Sequence, residues 1–159
     1  MEGGESVVMN FKRRVYVDAS VIGGCMDREL AEASLAFIDM AKREEVELVI
    51  SSHLADELLG VPEGVKAIFA SIPESVIEQV TVTPEAIALR DLHLQAGIVG
   101  PSASDDALHV AIAAVARVDL ILSWNFKHIV HVDKIRKFNA VNTFHGFPAV
   151  EIRTPKGVI

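Results

Sequence analysis

The sequence predicts an α/β domain in which helices flank a central, mostly parallel sheet. Short β-branched runs alternate with stretches whose apolar residues recur at helical spacing. The intervals between the runs are long enough for the helical crossovers that parallel neighbours require. A chain of 159 residues, half of them hydrophobic, can bury one real core and is too short for two ordinary domains. One domain over 1–159 is therefore expected, with residues 1–12 as a flexible lead.

The elements follow in order. Arg14-Val-Tyr-Val-Asp-Ala has the composition of a buried strand, and Gly23-Gly24 soon punctuates it. Over 28–42, Leu30, Ala33, Leu35, Phe37, Ile38 and Ala41 recur at helical spacing. A second buried strand is expected over 46–51. Ser52 then caps a short helix carrying Leu54, Leu58 and Leu59, which ends near Gly60-Val61-Pro62. Residues 62–71 read as helix and 76–82 as strand. Thr83-Pro84-Glu85 joins a cap, a first-turn proline and an acid that suits the positive helix terminus, so a helix through about Gln95 follows, stopped by Gly97. Ser104 is expected to cap a deeply packed helix over 104–117 with a small-residue face. A strand over 119–123, a short helix over 133–138 and an edge strand over 149–153 complete the alternation.

Composition removes several functions. No apolar run approaches the roughly 20 residues that span a bilayer, and Met-Glu-Gly-Gly-Glu-Ser lacks the parts of a secretion signal. A single cysteine, Cys25, forms no internal disulfide and lacks an obvious base partner, so a packed residue in a reducing, cytoplasmic setting is expected. The formal charge of −7 argues against binding polyanions through net charge alone. Basic residues nevertheless gather at Lys127, Lys134, Arg136 and Lys137, and again at Lys12, Arg13 and Arg14. A solvated helix face and a polar strand lead-in explain them most simply.

Four patches place a carboxylate or its amide analogue where an apolar element meets a polar turn: Asp18, Glu57, Asp106 and Asn125. Each acid has an ordinary structural role available, as a turn, an exposed helix residue or a first-turn helix acid. As a set they fit Mg²⁺ or Mn²⁺, which carboxylates hold while leaving positions open for phosphate oxygens. Asn125 offers only a neutral carbonyl oxygen or a hydrogen bond, which leaves less charge for a second cation. His109 and His128 are expected to order their loops rather than shuttle protons. Trp124 is expected to pack against a neighbouring helix rather than stack on a base.

These patches resemble the motifs of PIN-domain ribonucleases, particularly the toxin subunits of VapBC-type toxin–antitoxin pairs, over nearly the whole chain. Val17-Asp18-Ala19-Ser20 resembles the first motif and Ser51 to Glu57 the second. Asp106-Ala107-Leu108-His109-Val110-Ala111 resembles the third, and Leu122-Ser123-Trp124-Asn125-Phe126-Lys127-His128 the fourth. The resemblance implies a three-layer PIN-like domain and metal-dependent hydrolysis of RNA phosphodiester bonds. It makes Asp18, Glu57 and Asp106 the metal-binding catalytic acids, with Asn125 at the fourth catalytic position and Ser123 supporting. Asp105 is a possible substitute acid, turned about 100° from Asp106 around the helix. The basic residues Lys127, Lys134, Arg136 and Lys137 would then meet RNA. A cognate antitoxin and a homodimer are implied partners. Asn125, where many members carry aspartate, keeps a second reading open: a catalytically weak PIN-like RNA-binding or regulatory protein. An aspartate-nucleophile phosphatase is disfavoured by Ser20 two residues after Asp18, and P-loop chemistry by the missing phosphate loop.

Overall fold

A computed structural model describes residues 12–159, so the expected flexible lead lies outside the described residues apart from Lys12. Five strands form one sheet: β1 (Arg14–Val17), β2 (Glu47–Ser51), β3 (Ile77–Val80), β4 (Leu120–Leu122) and β5 (Glu151–Arg153). They lie in the order β3-β2-β1-β4-β5, and every pair is parallel. Seven α-helices make the crossovers: α1 (Ala19–Gly24), α2 (Ala31–Lys42), α3 (Ser52–Glu57), α4 (Glu63–Ala70), α5 (Pro84–Gln95), α6 (Ser104–Val115) and α7 (Val132–Phe144).

Strand alternation sends side chains to opposite faces and so builds two cores. Val15, Val17, Leu48, Ile50, Leu120 and Leu122 face one layer, where they meet Phe37 and Ile38 of α2 and Val65 of α4. Tyr16, Val49 and Ile121 face the other, with Leu89 of α5, Ile112 of α6 and Phe138 of α7. Burying each large side chain contributes roughly 1.5–3 kcal/mol, so the two faces together hold helices and sheet as three layers. Cys25 is packed in the first core, where burial pushes its thiol up to about 11.

Several boundaries differ from the sequence expectation. Strand β1 stops at Val17, and Asp18 caps the unforeseen helix α1 by accepting from Ser20 N. Ser51 rather than Ser52 caps α3, accepting from Leu54 N at 3.1 Å. Ser104 begins α6 without capping it. Helix α7 continues to Phe144 because Phe138 and Asn142 remain buried on its inner side, a tertiary contact that local pattern does not carry.

Arg14 ties the amino edge of the sheet. Its guanidinium donates twice to Glu78 of β3 and once to Ala116 O, a carbonyl left over at the end of α6. This basic residue is thus a structural clamp at the edge opposite the strand carboxyl ends.

His93 on α5 is fully buried and donates from Nε2 to Asn142 Oδ1 at 2.7 Å. Burial holds its pKa below the ordinary histidine value, against the opposing effect of the Asn142 hydrogen bond. The unfolded chain therefore takes up a proton that the folded chain refuses. Stability should fall as pH drops from about 7.5 to 5.5, with a His93 contribution of up to about 1.4 kcal/mol per pH unit. Urea unfolding across that range should show a shallower slope in His93→Gln than in the parent; equal slopes would refute the assignment.

Candidate active site

An all-parallel sheet collects the carboxyl ends of its strands on one edge, and ligands bind there beside the point where strand order reverses. Here the reversal lies between β1 and β4. Pairing of Val17 with Leu122 brings the next residues, Asp18 and Ser123, side by side. Ser123 Oγ donates to Asp18 Oδ2 at 2.6 Å, and Ser20 Oγ donates to Oδ1 at 2.5 Å. Ser20 and Ser123 in turn accept from the backbone of Trp124 and Asn125, which fixes the loop after β4. Burial pushes the Asp18 carboxyl above its ordinary range and the nearby Glu57 charge adds to this; the two serine hydroxyls and the His109 charge oppose it. Such a buried carboxylate is best satisfied by a cation.

Helices α3 and α6 bring their own groups to the same edge, since α3 leaves β2 directly and α6 runs back from this edge towards β4. Glu57 Oε1 accepts from His109 Nε2 at 2.8 Å. His109 Nδ1 lies 2.6 Å from the Tyr16 hydroxyl, which also meets Ser51 Oγ at 2.9 Å. His53 packs against His109 with ring centroids 4.7 Å apart and ring planes tilted by 45°. Burial alone would raise the Glu57 carboxyl, but the His109 hydrogen bond and the charges of His109 and His53 outweigh it and leave the group below its ordinary range. Burial raises the Tyr16 phenol, which stays protonated as a hydrogen-bonding link.

Asp106 stands in the first turn of α6, half-buried, one turn before His109, and its carboxylate makes no hydrogen bond or ion pair with another described residue. Asp105 beside it is mostly exposed, with Oδ1 3.7 Å from His53 Nε2. Asp18, Glu57 and Asp106 thus share the edge but do not bring ligand atoms within 4.8 Å of one another. Among the described residues, only His53, Glu57 and His109 do so. The separation has a physical reason: three uncompensated carboxylates repel, and Glu57 turns to the histidines instead.

Asn125 is used locally. Its Oδ1 accepts from His128 N at 2.9 Å, closing the loop after β4 in the manner of an aspartate turn. Lys127 is exposed on that loop and Lys134 Nζ donates to its carbonyl, while Arg136 and Lys137 are exposed on α7. Trp124 is buried against α2, donating from Nε1 to Ser34 Oγ at 2.8 Å, as expected. Sequence reasoning passed over His53 and Tyr16, and carried Ser20 and Ser51 only within the first and second motifs, with no role of their own. The His-x-x-x-Glu spacing of His53 and Glu57, which sets both on one helix face, was the available signal.

No protein-family model matches the sequence, and no curated protein matches it. Among solved structures, the chain is similar to FitAcB from Neisseria gonorrhoeae with 15% identity and a TM-score of 0.58, covering 91% of this chain and 99% of that one. It is also similar to VapBC2 from Rickettsia felis, solved with a DNA fragment from their promoter, with 12% identity, a TM-score of 0.55, and 89% and 98% covered. At such identities what is shared is the path of the backbone. With five parallel strands in this order and helices on both faces, the chain has a PIN-like fold, shared with FitAcB and VapBC2.

Proposed function

We propose that the chain is a metal-dependent endoribonuclease that hydrolyses RNA phosphodiester bonds, acting in the cytoplasm as the toxin of a pair silenced by a cognate antitoxin. The observation that carries this reading is Asp18: a buried carboxylate at the strand-order reversal, held on both oxygens by serine hydroxyls and electrostatically coupled to Glu57. Its oxygen donors suit Mg²⁺ or Mn²⁺: Oδ1 is taken by the Ser20 amide and hydroxyl, while Oδ2 accepts only from Ser123 and keeps a lone pair free for the ion. Asp18, Glu57 and Asp106 would hold the ion, directly or through water. When bound, the cation supplies an activated water and offsets charge developing on the phosphate. Ser20 and Ser123 orient Asp18, Asn125 shapes the loop, and Lys127, Lys134, Arg136 and Lys137 would meet the RNA backbone. The fold shared with FitAcB and VapBC2 supports an antitoxin partner and a paired assembly.

Purified protein should cleave RNA with Mg²⁺ or Mn²⁺, and Asp106→Asn should lose at least about tenfold of that rate. Undiminished cleavage in the variant would remove Asp106 from the site. The engagement of Asn125 Oδ1 with His128 N favours a second reading, a PIN-like RNA-binding protein of weak turnover. RNA binding without metal-dependent cleavage in the same assay would select it.

A further inference from the structure

We propose that His53, Glu57 and His109 form a binding site for a borderline transition-metal ion of the Zn²⁺ type, distinct in donor chemistry from the oxygen-only set of Asp18 and Asp106. The three side chains bring two imidazole nitrogens and one carboxylate oxygen within 4.8 Å of one another. His53 Nε2 is a buried atom without a hydrogen-bond partner among the described residues, 3.8 Å from Glu57 Oε2 and 3.7 Å from Asp105 Oδ1. At those distances it faces two carboxylates without bonding either. An orphaned buried imidazole nitrogen is costly unless something fills the space before it.

The surroundings fit a metal-bound histidine. His109 Nδ1 is engaged by Tyr16, whose hydroxyl continues to Ser51, so the far side of the ring is held as outer partners hold ligating histidines. Its Nε2 points at Glu57 Oε1 across 2.8 Å, where a cation would take the place of the shared proton. Ligand atoms around a tetrahedral Zn²⁺ lie about 3.3 Å apart for metal–ligand bonds of about 2.05 Å. The observed 2.8 Å to Oε1 and 3.8 Å to Oε2 straddle that spacing, and the three ligand atoms all lie within 4.8 Å of one another, so side-chain adjustment without backbone rearrangement would close the site. Imidazole donors favour Zn²⁺, Co²⁺ and their neighbours and serve Mg²⁺ poorly. His53, Glu57 and His109 leave an open position, with Asp105 flanking it.

The site shares Glu57 with the nuclease reading but rests on the geometry of the histidines, and its test needs no RNA. Chelator-treated full-length protein is titrated with Co²⁺ and then Zn²⁺ and followed by visible absorption. We expect one equivalent of Co²⁺ to give the strong visible bands of a four- or five-coordinate ion, with Zn²⁺ displacing it and excess Mg²⁺ not. His53→Ala should weaken binding at least about tenfold and bleach the bands, whereas His145→Ala, on an exposed residue outside the site, should keep them. Bands that survive His53→Ala, vanish in His145→Ala, or yield to Mg²⁺ would overturn the proposal. Circular dichroism of His53→Ala confirms that the loss is not one of folding. Failure of the parent protein to cleave RNA would defeat the nuclease reading and leave this result standing.

Discussion

Asp18→Asn is expected to cut metal-dependent RNA cleavage by at least about a hundredfold while raising the melting temperature of the metal-free protein. The two effects have one origin. In the fold Asp18 is buried, and burial lifts its pKa above that of the unfolded chain. An acid whose folded pKa is raised contributes stability below the unfolded value, near 3.8, and loses it as pH rises through the folded value. At neutral pH the buried charge therefore costs stability in the absence of a cation. Asparagine keeps an oxygen that can accept from Ser20 and offers an amide that can donate to Ser123 Oγ, so it removes the charge while preserving the shape. A gain of 1 kcal/mol corresponds to about 2–4 °C for a chain of this size. Saturating Mg²⁺ or Mn²⁺ should raise the melting temperature of the parent and leave the variant unmoved. A variant that melts lower, or that cleaves like the parent, would contradict the role given to this carboxylate.

Gly24→Ala should be the more damaging change to the fold. A Cβ at Gly24 would sit 2.6 Å from Ser34 Oγ and 2.8 Å from Trp124 Nε1, inside the distance at which atoms can remain in place. Ser34 and Trp124 are both buried and hydrogen-bonded to each other, so the added methyl must part them. Overpacking of about 1–3 kcal/mol then adds to about 1–3 kcal/mol for the polar atoms left unpaired. We expect a loss of roughly 2–6 kcal/mol in urea unfolding. Displacing Trp124 also moves Ser123 on one side and Asn125 on the other, so residual folded protein should show weakened cleavage. A variant as stable as the parent would mean that the helix bearing Gly24 moves freely against Trp124.

The fold was legible because strand runs such as Val15-Tyr16-Val17 and Leu48-Val49-Ile50 alternate with helical stretches, and burial on both faces fits such continuous apolar runs. Boundaries were less legible where tertiary contacts decide them. Helix α1 replaces the turn that Gly23-Gly24 implied, since Gly24 is there to let Trp124 approach. Helix α7 outruns its weak local pattern because Phe138 and Asn142 dock on the second core. At the candidate site, Asp18 and Asp106 were singled out next to a strand end and a helix start, and Glu57 on the helix that follows β2. Pairwise use of a side chain could not be read: whether Glu57 turns to Asp18 or to His109 depends on distances of a few ångströms that spacing along the chain does not encode.

Trp124 is the only tryptophan of the chain, and its indole lies in the loop that holds Ser123 and Asn125. One fluorophore thus sits between the first core and the site. Its emission reports a single environment without labels: shielding of the ring by the helix layer beneath, and the packing of the serine-held loop above. Ion entry, nucleotide contact or slackening of the loop can each be followed as a change in wavelength or lifetime of that one signal, resolved in time as well as at equilibrium.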